Sequence, residues 1–355
     1  MKSFAIFLIK LLVSAVLCFF VWKSIASTPE INSANFADIM RNIDYKYLVF
    51  ALLCIFFSYF SGCFQWKQLL ATQNIKMSYV NLLRFYFVGS FFNNFMPGNV
   101  GGDLKKIYDI NQNSEETVGA AISATVLDRL FGLYILCTFA LAVGFAFFWR
   151  DPSQKYFLLP SLLIFIAFST AICMLFSRRF GNLLFGKIFS FLGERVLHLH
   201  GRFQAFRTKK LFAQLFSLST VTQSLRVLSH YFCALSISVN IDISWYFYYI
   251  PLVAIVSALP ISIGGFGPRE FMAQSLFARA GVGSMEAVIM QLLAYVANLA
   301  VSLIGAADFL FSSHALSSRL PCGFKFQAFT ISSKRNKCRI YAHSRNCKRL
   351  NLRRA

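Results

Sequence analysis

The sequence predicts an all-α polytopic integral membrane protein with about six full spans and two re-entrant, Pro/Gly-broken hairpins arranged as inverted repeats. Three observations lead to this class. The 355 residues are 57% hydrophobic and only 14% charged, whereas soluble chains carry about 25% charged residues. Apolar runs long enough to cross a membrane recur along the chain, and two shorter apolar runs each lead into a proline followed by a glycine pair.

Long apolar runs define the expected spans. An α-helix needs about 20 apolar residues to cross a hydrocarbon core of about 30 Å. The first run admits two interpretations, a cleaved signal peptide or a retained anchor helix, and its length together with the later spans favours the anchor. We therefore expect spans near residues 3–22, 47–65, 120–148, 157–176, 212–238 and 286–311.

Two shorter apolar runs share one pattern of interruptions. The run near 83–97 leads into NNFMPGNVGGDLKKIYDI, which begins at Asn93, and the run near 244–260 leads into ALPISIGGFGPRE, which begins at Ala258. Hydrocarbon cannot satisfy the backbone groups that such breaks release, so each break must be buried in protein or line a wet cavity. Matched breaks in two halves of a membrane protein point to a substrate site between inverted repeats. The expected breaks are at Pro97, Gly101, Gly102, Pro260, Gly264, Gly265 and Gly267.

The net charge of +21 indicates how the chain is oriented. Residues 178–210 contain eight Lys and Arg against one acid, and residues 312–355 contain eleven and no acid. Short basic segments beside spans mark the cytoplasmic side of a membrane. With six spans, both basic segments lie on the cytoplasmic side only if each interrupted run is a hairpin that leaves the membrane on the side from which it entered. The alternative, that both are ordinary kinked helices, stays open because proline is tolerated in transmembrane helices.

These predictions divide the chain into five regions. The basic loop and tail are expected to contact anionic lipid and not nucleic acid, because no recognition module accompanies their charge. The tail lacks a sustained apolar period and is expected to be disordered or to lie on the membrane surface. The regions are the anchor helix and external loop 1–46, the first membrane repeat 47–176 with hairpin 83–110, the basic cytoplasmic loop 177–211, the second repeat 212–311 with hairpin 244–281, and the basic cytoplasmic tail 312–355.

Charged and amide side chains inside the spans are the candidate site residues. Each charge costs about 2.5–3.5 kcal/mol at the centre of a membrane helix, so such residues usually face a cavity and pair. Asp128 and Arg129 are adjacent, about 100° apart on a helix, and so should have separate partners. Along the fifth span one face carries Gln223, Arg226 and His230, because positions i, i+3 and i+7 lie together. The sixth span carries Gln291 and Asn298.

Two interpretations of these charges stay open. In the functional one, Arg226, Arg129 and the basic residues Lys105, Lys106 and Arg269 at the hairpins bind a lipid headgroup phosphate, while Asp103 and Glu270 balance them or bind a cationic headgroup. In the structural one, ion pairs such as Asp128 with Arg226 lock helices together, and Lys105 and Lys106 extend to the membrane interface. For His230 alone, a hydrogen bond to a neighbouring helix is favoured. No catalytic signature is present, so we expect no enzymatic activity, cofactor or metal site.

Three segments carry a resemblance to a known family. At NNFMPGNVGGDLKKIYDI, TVLDRLFGLYIL and LPISIGGFGPREFM the chain resembles the lysylphosphatidylglycerol synthase transmembrane-region family, flippase-like domains related to the N-terminal part of the multiple peptide resistance factor. The resemblance covers about residues 48–311, and the basic tail is unlike the usual family ending. It implies a multi-pass protein of a bacterial-type cytoplasmic (inner) membrane. The matching residues are Asn93, Asn94, Pro97, Gly101, Gly102, Asp103, Asp128, Arg129, Pro260, Gly264, Gly265, Gly267, Arg269 and Glu270.

Two functions follow from the pattern and the resemblance. The first is a translocator that binds the polar headgroup of a phospholipid or lipid-linked substrate in a midplane cavity and moves it between leaflets, with both chain termini cytoplasmic. The second is a membrane-embedded accessory or scaffold subunit that presents a lipid to a separate lipid-modifying transferase or glycosyltransferase. The resistance factor carries a soluble aminoacyl-transfer domain that this chain lacks. The expected substrate-binding residues are Asn93, Asn94, Asp103, Lys106, Asp128, Arg129, Arg226, Arg269 and Glu270.

Overall fold

The structure is a computed structural model that describes residues 38–95, 101–113, 118–176, 203, 206, 208–258 and 267–317. Within these ranges the chain is almost entirely helical and contains no strand. The chain divides into residues 1–312 and 313–355. The packing and the cavity described below lie in the first unit; of the second, only residues 313–317 are described, and they complete the last helix. The expected anchor 3–22, loop 177–202, tail 318–355, Pro97, Pro260, Gly264 and Gly265 lie outside the described residues.

Nine α-helices of at least ten residues occupy the described ranges, and residues 38–41 are helical as well. Two short 3-10 turns, Pro152–Gln154 and Ala278–Ala280, lie directly before the fifth helix and directly after the eighth. The helices are α1 Tyr45–Thr72, α2 Tyr79–Phe95, α3 Gly101–Asn113, α4 Val118–Arg150, α5 Lys155–Phe176, α6 Lys209–Ser236, α7 Ile243–Ala258, α8 Pro268–Phe277 and α9 Ser284–Ser317.

Four of the segments are long and apolar enough to cross a membrane: Tyr45–Thr72, Val118–Arg150, Pro152–Met174 and Ser284–Phe311. They coincide with four of the six expected spans, so a helical membrane protein is confirmed. At the expected span 212–238 the structure also has a helix, α6, but α6 is less apolar than the other four segments. Its 28 residues include polar side chains along one face. The total of six spans therefore stays a prediction.

The same succession of helices occurs twice. Helices α1 to α4 contain 28, 17, 13 and 33 residues, and helices α6 to α9 contain 28, 16, 10 and 34. Helix α6 begins and ends 164 residues after α1. In each series the two short helices flank one of the expected Pro/Gly breaks.

Both series also share a turn. Asn74 after α1 and Ser238 after α6 have φ of 63° and 62°, the left-handed region. In each case the next amide donates to a carbonyl five residues back, from Ile75 to Leu70 and from Val239 to Ala234, both at 3.0 Å. This is the Schellman end of a helix, in which a left-handed residue lets the last carbonyls find donors. Each turn leads into a short helix five residues after the left-handed residue.

Packing in the described part has two centres. One lies around Trp66 and Leu69 of α1, against α2, α4 and α6. The other lies around Tyr246 and Tyr249 of α7, whose rings contact Phe277 of α8. In a membrane such contacts stabilise mainly through van der Waals packing, since lipid is as apolar as the core. Helix α5 packs on α4 and leaves almost none of its side chains fully buried, as a lipid-facing helix does.

Candidate functional site

A cavity of about 410 Å³ lies among helices from both series. Its volume falls in the range of small-molecule sites, about 300–1,000 Å³. Eight of the nine expected substrate-binding residues line it, and Glu270 is the exception. Their role in binding a substrate stays a prediction. The lining side chains used below are Tyr59, Gln65, Tyr86, Asn93, Asn94, Asp103, Lys106, Asp128, Arg129, Gln223, Arg226, His230, Arg269, Tyr295 and Asn298.

Helices α2 and α3 pack against each other as the first interrupted segment. The Gly102 amide donates to Asn93 Oδ1 at 2.8 Å, which satisfies one of the amides left open at the start of α3. A Cβ at Gly102 would overlap the carbonyl oxygen of Gly89, so the two backbones touch there. Gly101 and Gly102 are the first residues of α3, and the lack of a side chain at Gly102 permits the close approach of α2.

Asp103 is the centre of a buried charge cluster. Its carboxylate forms an ion pair with Arg129 Nε, and Lys106 Nζ lies 3.6 Å from Oδ1. Lys106 Nζ also lies 3.8 Å from the centroid of the Tyr86 ring, where a cation is attracted to the π face. Lys106 is only 5% exposed. The expectation that Lys106 extends to the interface is therefore wrong, because the carboxylate and the ring hold it inside; the neighbouring Lys105 pairs with Asp109.

Asp128 is held by an amide and not by a cation. Gln65 Nε2 donates to Asp128 Oδ1 at 2.9 Å, and Gln65 Oε1 accepts from Ser219 Oγ at 2.7 Å. Among the described residues Asp128 forms no ion pair with Arg226, so the helix lock expected between them is not formed. Asp128 and its neighbour Arg129 have different partners, in agreement with their separation around the helix.

The second interrupted segment contributes through the start of α8. Gly267 has φ of 88° and ψ of −66°, a conformation that side chains rarely allow. Its amide donates to Glu270 Oε2 at 2.8 Å, while Glu270 Oε1 accepts from Arg269 Nη2 at 2.6 Å. The Arg269 guanidinium lies 5.0 Å from the centroid of the Tyr295 ring. Glu270 therefore caps α8 and pairs with Arg269, which lines the cavity in its place.

One face of α6 points into the cavity. Gln223, Arg226 and His230 all line it, as their spacing predicts. The Arg226 guanidinium has no hydrogen bond or ion pair to any residue that the structure describes. His230 Nδ1 is buried and likewise lacks a hydrogen-bond partner in the described part of the chain. The hydrogen bond to a neighbouring helix that was favoured for His230 is therefore not formed at Nδ1.

Amide side chains join the first interrupted segment to α9. Asn94 Oδ1 accepts from Asn298 Nδ2 at 3.1 Å, and Asn298 Oδ1 accepts from the Tyr59 hydroxyl at 2.9 Å. Asn94 Nδ2 donates to Ser302 Oγ at 2.9 Å. Gln291, grouped with Asn298 by its spacing, is fully buried but is not among the residues that line the cavity.

Sequence reasoning missed two classes of lining residue. Gln65 is the last residue of the expected span 47–65 and could have been found as an isolated amide there. Tyr59, Tyr86 and Tyr295 could not, because tyrosine in an apolar helix gives no signal of what its ring faces. Among the described residues, no group of three or more His, Cys, Asp or Glu is placed to hold a metal ion.

Comparison with known proteins agrees with this picture. A UPF0104 membrane protein of Pyrococcus horikoshii is 24% identical over 327 residues, covering 82% of this chain and 92% of the relative. A UPF0104 membrane protein of Methanothermobacter thermautotrophicus is 24% identical over 313 residues, covering 77% of this chain and 87% of the relative. The model of the family described as lysylphosphatidylglycerol synthase TM region matches residues 7–305. Since this match takes in most of the chain, with the whole cavity inside it, the chain belongs to that family.

Proposed function

We propose that the protein is a lipid translocator that binds the polar headgroup of a phospholipid or lipid-linked amphipath in the cavity and moves it between leaflets. The observation that carries the proposal is the clustering of Lys106, Arg129, Arg226 and Arg269 with Asp103 and Asp128 around one cavity of an apolar helical protein. Each such charge is costly at membrane depth. Packing alone would favour apolar residues at these positions, since buried ion pairs seldom stabilise a fold.

The duplicated helix succession supports transport through inverted repeats. In transporters of that design, interrupted helices of the two repeats bind the substrate near the midplane. Here α3 of one series contributes Asp103 and Lys106, and α8 of the other contributes Arg269. Opposite orientation of the two series is what the positive-inside rule requires if the basic loop and tail are both cytoplasmic. The proposal therefore places the protein in a cytoplasmic membrane with both termini inside.

The proposed cycle needs no chemical step. The headgroup would occupy the cavity while the acyl chains stay in lipid, and the two interrupted segments would open alternately to the two leaflets. The chain's own residues bind and release the headgroup, and we propose that it is not an enzyme.

Lipid scrambling in vesicles tests the proposal. Purified full-length protein is reconstituted into vesicles that contain acyl-labelled fluorescent phosphatidylglycerol or phosphatidylcholine, and dithionite bleaching measures the fraction that reaches the outer leaflet. We expect bleaching beyond the outer-leaflet half with wild type and a loss of this excess in Arg269→Ala. The matched control is Arg279→Ala, an exposed arginine in the 3-10 turn after α8 that is not among the lining residues. Bleaching that stops at half for wild type with both lipids would refute translocation.

The family description favours one alternative, because it names the membrane region of a synthase. Such a membrane region could present a lipid to a separate lipid-modifying enzyme. In that case wild type and Arg269→Ala would give the same bleaching, while product formation by the partner enzyme would depend on Arg269.

A further inference from the structure

We infer that the cavity selects a lipid headgroup whose phosphate ester carries net negative charge, and that Arg226 is the residue that contacts the phosphate. The inference deepens the proposed function, on which the choice of a lipid rests, but it concerns binding and is measured without transport. It stands on one juxtaposition on the same face of α6: a guanidinium and a buried imidazole nitrogen, neither of which has a hydrogen-bond or ion-pair partner among the residues that the structure describes.

The other cations around the cavity already have carboxylate partners. Asp103 pairs with both Arg129 and Lys106, and Glu270 pairs with Arg269. Asp128, formally a carboxylate, is held by Gln65. Among the described residues, four cations line the cavity, and three carboxylates lie with them: Asp103 and Asp128 in the lining and Glu270 beside Arg269. The sum of these formal charges is therefore one positive charge. A ligand with a single negative charge, such as a phosphodiester, would neutralise it.

Arg226 is where that charge is available. Its side chain is exposed within the cavity lining and has no partner among the described residues. A guanidinium presents donors in a planar fork that matches two phosphate oxygens, which makes arginine the preferred residue for such recognition. An arginine that held two helices together would instead be found paired.

His230 supplies a second and independent sign of a ligand. It lies one helical turn after Arg226 and lines the same cavity. Its Nδ1 atom is buried without a partner in the described part of the chain, whereas nearly all buried polar atoms in proteins are hydrogen-bonded. A neutral imidazole protonated at Nδ1 would donate to a further oxygen of the same phosphate.

A headgroup cation would be unfavourable here. Phosphatidylcholine carries the same phosphate but adds a quaternary ammonium, which would bring a second positive charge into a set that already has one in excess. The anion itself has two sources, the phosphodiester of a glycerophospholipid and the phosphate of a polyprenyl carrier. Both present the chemistry that Arg226 recognises, and binding experiments can separate them.

Equilibrium binding to the purified full-length protein in detergent tests the inference. The probes are dihexanoyl phosphatidylglycerol, dihexanoyl phosphatidylcholine and farnesyl phosphate, followed through tryptophan fluorescence. We expect at least one of the two anionic probes to bind about tenfold more tightly than phosphatidylcholine, as one charge-assisted contact would give. Arg226→Gln should remove this preference, and His230→Ala should reduce it. Arg279→Gln, the same change at an exposed arginine outside the cavity lining, should leave it intact.

Equal affinity of wild type for all three probes would overturn the inference, and so would a preference that survives in Arg226→Gln. If Arg226→Gln does not fold, Arg226→Lys replaces it: a point charge should keep the preference but lose several-fold in affinity, because an ammonium lacks the planar fork. Unchanged affinity in Arg226→Lys would count against the contact. Stronger binding of farnesyl phosphate than of phosphatidylglycerol would assign the anion to a lipid-linked carrier. Failure of scrambling with this preference intact would refute translocation alone.

Discussion

Asp103→Asn should destabilise the protein far more than loss of any other single cavity charge, because one carboxylate serves two cations. Its side chain is 11% exposed, that of Lys106 is 6% exposed, and that of Arg129 is 36% exposed. Breaking a buried pair costs about 3–5 kcal/mol because it leaves an uncompensated charge behind. Arg129 is screened by solvent and adds little, while the Tyr86 ring still offers Lys106 a cation–π contact of about 0.5–2 kcal/mol. We expect a loss of about 3 kcal/mol.

The assay is an unfolding titration in mixed micelles, read through tryptophan fluorescence. Arg226→Gln is the matched control and should change stability by no more than about 0.5 kcal/mol, as a surface change does. Lys106→Met in the Asp103→Asn background should recover part of the loss, since it removes the ammonium that Asp103→Asn leaves unpaired. A loss below about 1 kcal/mol for Asp103→Asn, or a double variant less stable than Asp103→Asn, would refute the assignment of this carboxylate as the partner of Lys106.

Three further predictions use the same unfolding titration. Gly89→Ala should cost about 1–3 kcal/mol through overpacking, because its Cβ would stand 2.6 Å from Lys106 Cγ and 2.9 Å from the Gly102 carbonyl oxygen; a neutral result would contradict the close approach of α2 and α3. Asn94→Ala removes the hydrogen bonds to Asn298 and Ser302. At about 0.5–1.5 kcal/mol for each bond, the loss of stability should be about 1–3 kcal/mol. Unchanged stability would mean that α2 and α9 are not joined there. Asp242, in the loop before α7, accepts hydrogen bonds from the Ser244 side chain and amide, which lower its pKa. Its contribution to stability is therefore present above the ordinary carboxyl pKa and is lost as pH falls through the lowered pKa. Asp242→Asn should abolish this acid dependence, while Asp38→Asn should not.

Much of the helical plan follows from composition and spacing. Apolar runs of about 20 residues predict helices, and all four described long apolar segments coincide with them. The one-sided face of α6 also follows, because helical periodicity alone places Gln223, Arg226 and His230 together. Pairing partners do not follow. Asp128 could have met Arg226 equally well by sequence, and only the packing of α1 against α4 and α6 brings Gln65 between Asp128 and Ser219.

The glycines show the same division between pattern and packing. A proline and a glycine pair predict an interruption, yet Gly101 and Gly102 themselves begin α3. Glycine is needed at position 102 because the backbone of Gly89 occupies the space that a side chain would take. That contact joins residues thirteen positions apart on two different helices, α2 and α3, so no local signal in the sequence reveals it.

The polar composition of α6 is related to the position of the cavity. A helix with this many polar residues would be unfavourable if lipid surrounded it. Here Ser219, Thr222 and Gln223 are nearly buried against other helices, and α1 packs along α6. Helix α6 therefore has a polar face toward the cavity and a side packed along α1, while Phe212 and Val221 stay exposed. The polarity that separates α6 from the four apolar segments therefore gives the cavity one amide, one guanidinium and one imidazole group, in Gln223, Arg226 and His230, whereas the apolar α5 contributes none of the polar lining.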